Sequence, residues 1–447
     1  MPVQRAWLLA FVALTVVSAA SLAYYYSWSG ERTSTEVTTP TPAPLATRVI
    51  RVGVFSSTQS NYPIYKFLAD EARRDFNDFC NRTGVDARLE VTLGDAEGQP
   101  ANAKQFTIKC YQAGIRVVVG FGWSSFFCSS AYTYANSEET PMIIFSPSST
   151  SPSYHTVDNV FRLCEDEGEA SKVAVQLLKE RGIKSLVVIA RNDSWADLSF
   201  ETYIEPLFTG LGGEIEGWFA YPPDIFPNTM NSDSGPDRGR MMWFESRIAS
   251  AEAAVKQAMA DHPGEVGVLL LAFDEASYIL NATSSCPSLL DVPWFGLDGT
   301  ANTPMELATA SEAAERVILL SPKLRNPESE LGRRLNERFL SSGMTAGVGE
   351  ENVVDFTNAN IYDCVMLAAL AQLRANTTDV ATLRETIPMV ASAYTGATGP
   401  VILDETGDRI GIDYDIWGHA TGGAPAIFGR YDATTETFTW DQVVASP

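Results

Sequence analysis

Apolar strand-like stretches alternate with helical stretches along most of this chain, and this alternation constrains the fold more than any other feature. Strands are expected at 48–56, 87–93, 117–120 and 142–145, and in a second run at 185–190, 214–221, 266–273, 292–296 and 316–321. Helices are expected between them, including one at Ser199–Leu211. Repeated strand–helix units form mainly parallel sheets covered by helices. We therefore predict an α/β fold with two doubly wound parallel-sheet lobes.

The order of these elements predicts how the chain is divided between the lobes. Lobe 1 is expected at 48–164, lobe 2 at 165–321, a return to lobe 1 at 322–398, and a C-terminal β segment of lobe 2 at 399–447. The last segment is separate because its pattern changes from helical spacing to short strands with turns. A long polar loop at 222–240 interrupts lobe 2.

The N-terminus predicts the location of the protein. Residues 7–26 are 20 uncharged residues, long enough to span a bilayer as a helix, and aromatic residues follow at its far end. A cleaved signal ending at Ser18-Ala19-Ala20 is the alternative to an uncleaved transmembrane helix within 1–28. Residues 29–47 are rich in Thr and Pro and are typical of an extended stalk. Both alternatives place the globular body outside the cell, and we expect it to be anchored to the cell membrane.

Charge and cysteine content narrow the choice of partners and stabilising bonds. The chain has 55 acidic and 32 basic residues, a formal net charge of −23. This excess of negative charge argues against nucleic acid as a partner. Six cysteines in an extracellular protein allow up to three disulfides, and buried free thiols are the alternative.

Polar and aromatic side chains follow several predicted strands, where ligands bind in parallel sheets. Ser124 and Ser125 follow the third strand, and a run of hydroxyl residues follows the fourth. That run includes Ser148, Ser149 and Thr150, and in lobe 2 Trp195, Phe273 and Asp298 follow strands. Hydroxyl and backbone N–H groups suit a carboxylate, whereas Asp298 suits an ammonium group. Ordinary helix caps and turns are the structural alternatives for these residues.

Common catalytic motifs are absent from the sequence. The three histidines stand in no recognised arrangement with serine or cysteine, and no metal-binding or phosphate-binding motif occurs. We therefore expect a binding protein rather than an enzyme, with no cofactor and no metal. A secreted hydrolase remains the less favoured alternative, because serine–histidine–acid triads arise on many folds.

Several stretches together resemble the type I periplasmic-binding-protein family, in particular the solute-binding subunits of branched-chain amino-acid (Leu/Ile/Val-type) ABC transporters. The stretches are 114–120, 124–125, 141–150, 159–162, 362–363 and 399–408. The resemblance covers about 48–440 and implies two lobes joined by a hinge, which close over a small ligand. Departures include the long 222–240 loop and Trp195-Ala196 in place of the commoner Tyr-Gly.

The resemblance also implies roles for individual residues. Ser125 (or Ser124), Ser148 and Thr150 match positions that hold the ligand's α-carboxylate, and Asp298 matches the acid that holds its ammonium group. Trp195, Phe273 and, more weakly, Tyr62 match residues that line the cleft. The implied function is capture of an amino acid or similar small zwitterion and its delivery to an ABC permease. A sensory receptor ectodomain of the same fold is the alternative.

Overall fold

The structure is a computed structural model. It describes residues 47–57, 59, 61–97, 99–122, 132–147, 158–222, 225, 238–305, 308–326, 328–344 and 354–441. The predicted anchor and nearly all of the predicted stalk lie outside these ranges, as does most of the 222–240 loop. Within the described ranges, no helix is both long and apolar enough to cross a membrane.

Five parallel strands form the first sheet. They are β1 (Arg48–Ser56), β2 (Ala87–Asp95), β3 (Val117–Val119), β4 (Ile143–Ser146) and β5 (Val160–Arg162). Their order is β2-β1-β3-β4-β5. The central strands β3 and β4 are buried along their whole length, as expected of a sheet that is covered on both faces.

The second sheet contains four parallel strands. They are β6 (Ser185–Arg191), β7 (Glu214–Tyr221), β8 (Val266–Leu271) and β9 (Trp294–Gly296), in the order β7-β6-β8-β9. The later strands are β10 (Ser321–Leu324), β11 (Thr395–Gly396), β12 (Gly399–Pro400), β13 (Tyr414–His419), β14 (Pro425–Asp432) and β15 (Thr437–Trp440). An antiparallel sheet of order β10-β13-β14-β15 adjoins β9, because Leu320 pairs with Phe295 immediately before β10.

Helices cover both faces of the two parallel sheets. The helices are α1 (Tyr62–Thr83), α2 (Pro100–Gln112), α3 (Tyr132–Ala135), α4 (Glu167–Glu180), α5 (Ser194–Ser199), α6 (Glu205–Gly210), α7 (Arg238–Asp261), α8 (Ala276–Ala282), α9 (Pro287–Leu290), α10 (Ala308–Val317), α11 (Glu330–Ser341), α12 (Phe356–Ala375) and α13 (Val380–Ala391). On the first sheet, α1, α11, α12 and α13 share one core and α2 packs in another. On the second sheet, α7, α8 and α10 share a core, and α4 and α5 pack in a second one that includes β13 and β14. The domain boundaries themselves stay a prediction.

Cysteines contribute to the structure as buried thiols. The described cysteines are Cys80, Cys110, Cys164, Cys286 and Cys364, and all of them are free. Among these five cysteines the alternative of free thiols therefore holds, and none of the disulfides that the sequence allowed is formed. Cys128 lies outside the described residues. Four of the five thiols are buried, where they pack as small apolar groups.

Buried charges join the chain segments that pass between the two parallel sheets. Arg162, at the end of β5, forms an ion pair with Asp408 at 2.7 Å, and the two side chains are 0% and 5% exposed. Arg409 donates to the backbone oxygens of Thr398 and Pro400, each at 2.8 Å. Glu165 accepts a hydrogen bond of 2.7 Å from the backbone N–H of Ile412. The segments around 162–165 and 408–412 are thus fastened to each other by polar groups.

Glu165 makes the stability of this junction depend on pH. Burial raises its pKa to about 7, although the N–H of Ile412 opposes the shift. Between about pH 4.5 and pH 7, Glu165 therefore holds a proton in the folded chain that it has lost in the unfolded chain. The free energy of unfolding falls as the pH rises through this range. The shift corresponds to about 3 kcal/mol. In Glu165→Gln, whose amide resembles the neutral carboxyl group, we expect the difference in unfolding free energy between pH 5 and pH 8 to shrink by up to that amount.

Urea unfolding at the two pH values measures this difference. Glu201→Gln changes an exposed carboxylate on the surface and serves as the matched control. A Glu165→Gln protein with the same pH dependence as the wild type would contradict the assignment.

Candidate ligand-binding site

Three predicted site residues meet at one edge of the second sheet. Trp195, Phe273 and Asp298 follow β6, β8 and β9, whose parallel direction brings their carboxyl ends together. The rings of Trp195 and Phe273 lie 4.5 Å apart at 31°. Gly299, next to Asp298, is so close to Phe273 that an added Cβ would lie 2.3 Å from its ring. The structure therefore places an aromatic pair beside the turn that carries the acid.

Asp193 fixes the position of Trp195. It caps the N-terminus of α5, where its carboxylate accepts hydrogen bonds from the backbone N–H groups of Trp195 and Ala196. This cap starts the helix at Ser194, five residues before the predicted start at Ser199. Trp195 is 7% exposed, so most of its ring packs inside the lobe.

An ionic network that the sequence analysis missed packs against the Phe273 ring of the aromatic pair. The guanidinium of Arg191 lies 4.2 Å from the centre of the Phe273 ring. Arg191 also bonds Asp193 at 2.5 Å and Glu275 at 2.9 Å, and Glu275 accepts from the Tyr221 hydroxyl at 3.0 Å. The signal in the sequence was a pair of opposite charges at the ends of two strands, Arg191 as the last residue of β6 and Glu275 shortly after β8.

Burial and charge act against each other in this network. Burial raises the pKa of Glu275, which is 1% exposed, and the charge of Arg191 opposes that rise. Burial also raises the pKa of Tyr221 well above its ordinary value. The network therefore holds Arg191 under Phe273 through contacts that a change of either acid would break.

Asp298 lies in a single 3-10 turn directly after β9 and is partly exposed. Burial raises the pKa of its carboxyl group, whereas the charge of Lys323 and the N–H of Gly299 lower it. Lys323 belongs to β10 and also approaches Asp355 at 3.5 Å and Asn302 at 3.1 Å. Asp298 therefore already faces one cation of the protein itself.

The predicted carboxylate-binding residues of lobe 1 fall outside the described residues. These are Ser125, its neighbour Ser124, Ser148, Ser149 and Thr150. Tyr62 begins α1 and is partly exposed. Within the described part of the chain it forms no hydrogen bond or ring contact with Trp195, Phe273 or Asp298. Its place in the site stays a prediction.

Described residues at the carboxyl edge of the first sheet include a hydroxyl that the sequence analysis did not single out. Ser57, directly after β1, is 5% exposed, and its hydroxyl has no hydrogen-bond partner within the described structure. Asn360 of α12 donates to the backbone oxygen of Pro147 at 3.0 Å, directly after β4. Phe121, after β3, has φ of 65° and packs against Phe55 at 4.9 Å.

The two described histidines form no serine–histidine pair. His419 is buried and bonds the backbone oxygen of Thr303 at 3.0 Å. His262 lies 3.5 Å from Glu214. With Glu216 these two residues form a surface group whose ligand atoms lie within 4.8 Å of one another, away from the strand ends described above.

Comparison with known proteins identifies the family. The family model described as the receptor family ligand binding region matches residues 72–421. The chain belongs to this family. One curated relative is the uncharacterized protein MJ1266 of Methanocaldococcus jannaschii. It is 24% identical to this chain over 431 residues, and the match covers 91% of this chain and 95% of the relative.

Solved structures establish the fold of this family member. It matches a leucine binding protein LivK of Thermotoga maritima with a TM-score of 0.63 at 18% identity, covering 86% of this chain and 99% of that one. It also matches an ABC transporter substrate-binding protein of Desulfitobacterium hafniense in complex with Leu, with a TM-score of 0.61 at 19% identity, covering 85% and 100%. The predicted type I periplasmic binding fold with parallel sheets is confirmed, and so is the resemblance noted in the sequence.

Gly299 tests the packing at the centre of the site. In Gly299→Ala the new methyl group would collide with Phe273 and with the backbone oxygen of Ala272. We expect a loss of about 1–3 kcal/mol of unfolding free energy and a changed near-ultraviolet circular dichroism spectrum from the displaced aromatic pair. Gly210→Ala is the matched control, because an added Cβ there meets nothing within 4 Å. Equal stability of the two variants would refute this packing argument.

Proposed function

We propose that this protein captures an amino acid or similar small zwitterion between its two lobes. The main support for this proposal is the aromatic pair Trp195–Phe273 beside the turn that holds Asp298. An apolar aromatic surface next to a carboxylate suits a ligand with a hydrocarbon side chain and an ammonium group. The partly exposed carboxylate supplies the counter-charge, and the rings supply apolar contact.

The second pole of the ligand is assigned to lobe 1. In this proposal, hydroxyl and N–H groups at Ser125, Ser148, Ser149 and Thr150 hold the carboxylate, and Tyr62 lines the cleft. Contacts on both lobes favour the closed arrangement, because a ligand shifts the equilibrium toward the state that it contacts more. The complex of the Desulfitobacterium hafniense protein with Leu supports an aliphatic amino acid as the first ligand to try.

Delivery to an ABC permease from outside the cell completes the proposal. Residues 7–26 anchor the protein in the membrane, and the Thr/Pro-rich stalk at 29–47 holds the body away from it. Fold similarity to the ABC transporter substrate-binding protein of Desulfitobacterium hafniense supports this role. The receptor alternative is supported by the description of the family itself. Co-purification from native membranes distinguishes them, because a permease complex favours transport and a signalling partner favours a receptor.

Asp298→Asn tests the ammonium contact. This substitution keeps the shape of the side chain and removes its charge, so a bound ammonium loses its counter-charge. A thermal-shift screen of amino acids, amides, sugars and aromatic acids first identifies the amino acid that raises the thermal midpoint most. We expect the affinity for that amino acid, measured by calorimetric titration, to fall about 100-fold in the variant, which corresponds to about 2.7 kcal/mol.

Asp261→Asn, on the exposed end of α7, is the matched control and should bind like the wild type. Trp195→Ala should weaken binding less than Asp298→Asn, since it removes apolar contact and leaves the charge. Unchanged affinity in Asp298→Asn would remove this residue from the site. A screen in which no zwitterion raises the midpoint would overturn the proposed ligand class.

The anchor is tested separately from the ligand. We expect the full chain to stay with the membrane fraction after a high-salt wash and to enter solution with detergent, because burial of residues 7–26 in the bilayer is apolar and insensitive to salt. A chain without residues 1–28 should be soluble without detergent. N-terminal sequencing of the mature protein decides between an uncleaved helix and cleavage after residue 20.

A further inference from the structure

A second concave site lies at the opposite end of the second sheet from the aromatic pair. It encloses about 150 Å³, and we call it the basal pocket. Ile183, Val266 and Pro293, which stand at the starts of β6, β8 and β9, form part of its apolar wall together with Phe295. Because parallel strands start at one edge and end at the other, a strand of six residues separates the two sites by about 20 Å.

Two arginines and one aspartate stand at this pocket. Arg316 and Asp291 form an exposed ion pair with each other. The guanidinium of Arg181 lies 4.1 Å above the ring of Trp440, and burial lowers its pKa while the charge of Glu180 opposes that shift. Glu180, whose carboxylate accepts a hydrogen bond from the Trp440 ring at 2.6 Å, adds a second acidic group near Arg181. An anion at this rim therefore gains its attraction from direct contact with the guanidinium rather than from a surplus of positive charge.

The wall of the pocket also contains a strained residue. Ile318 has φ of 50° directly after α10, at the position where helices usually end with glycine. A β-branched residue in this conformation is a rare outlier. Such residues cluster at binding sites, where the surrounding structure holds them in place. Here the side chain of Ile318 contributes apolar surface to the pocket that glycine would not.

We propose that the basal pocket binds a small apolar carboxylic acid, with its ring or branched chain against the apolar wall and its carboxylate on Arg181. The volume limits the apolar part to about one six-membered ring, since a dry cavity of roughly 150 Å³ holds benzene. A charge-assisted hydrogen bond from the Arg181 guanidinium selects an acid over a neutral compound of the same shape. This site is independent of the ligand proposed for the aromatic pair and Asp298.

Fluorine NMR titration with 4-fluorobenzoate tests the proposal on the full chain in detergent. We expect saturable binding that weakens about tenfold or more in Arg181→Met and is partly restored in Arg181→Lys, because a hydrogen bond to a charged group is lost and then replaced. Neutral 4-fluorotoluene should bind more weakly than the acid. Met259→Trp, which fills the pocket with a larger side chain, should also abolish binding.

Trp195→Ala separates this site from the aromatic pair and should leave binding of 4-fluorobenzoate unchanged. Thermal unfolding of each variant checks that the fold is retained. Absence of saturable binding at millimolar probe, or equal affinity in the wild type and Arg181→Met, overturns the proposal. Loss of binding in Trp195→Ala with binding retained in Arg181→Met overturns it as well, since the probe would then occupy the other site.

Discussion

The parallel direction of β6, β8 and β9 is the constraint on which the candidate ligand-binding site depends. Each strand ends at the same edge, so side chains that are about 80 residues apart in sequence come into contact there. Trp195 and Phe273 illustrate this, since their rings lie 4.5 Å apart. The opposite edge collects the strand starts and forms the basal pocket. The two edges of one sheet thus carry two separate candidate sites.

Buried charges at the junction between the parallel sheets impose a different constraint. The Arg162–Asp408 pair is almost fully buried, and burial of two charges costs more free energy than an apolar contact of the same size. A charge whose partner moves away is costlier still, so the pair favours one arrangement of the two segments that carry it. Asp363 adds to this effect, because its buried carboxylate accepts from Tyr394, Ala397 and Thr398.

Sequence patterns predicted the strands well and the ends of some elements poorly. Runs such as Val266–Leu271 are apolar throughout, and only a strand covered on both faces accommodates them. The predicted helix Ser199–Leu211 instead begins at Ser194, because Asp193 caps it, and a π-helical turn at Phe200–Ile204 interrupts it before Pro206, which has no N–H to donate. The predicted strand at 316–321 begins at Ser321, since α10 continues to Val317.

Some residues of the candidate site could likewise be predicted from the sequence, and others could not. Trp195, Phe273 and Asp298 could be predicted because each stands within four residues of the end of a recognisable strand. Arg191 ends one strand and Glu275 follows another, but the strand order that brings them together is a property of the folded sheet. Lys323 could not be predicted at all, because its approach to Asp298 depends on how β10 adjoins β9. Pairing between distant elements leaves no periodic signal in the sequence.

Lys323, more than Arg191, sets the positive charge at this edge of the sheet. Burial raises the pKa of Asp298 and the charge of Lys323 opposes that rise, while Asp355, which Lys323 approaches at 3.5 Å, is the ion-pair partner of this lysine. Arg191 lies 4.2 Å from the centre of the Phe273 ring, but its bonds to Asp193 and Glu275 place two acidic groups beside its one positive charge. This network therefore presents no surplus positive charge at the edge of the sheet. On the function proposed above, the ammonium group of a ligand depends on Asp298 for its counter-charge.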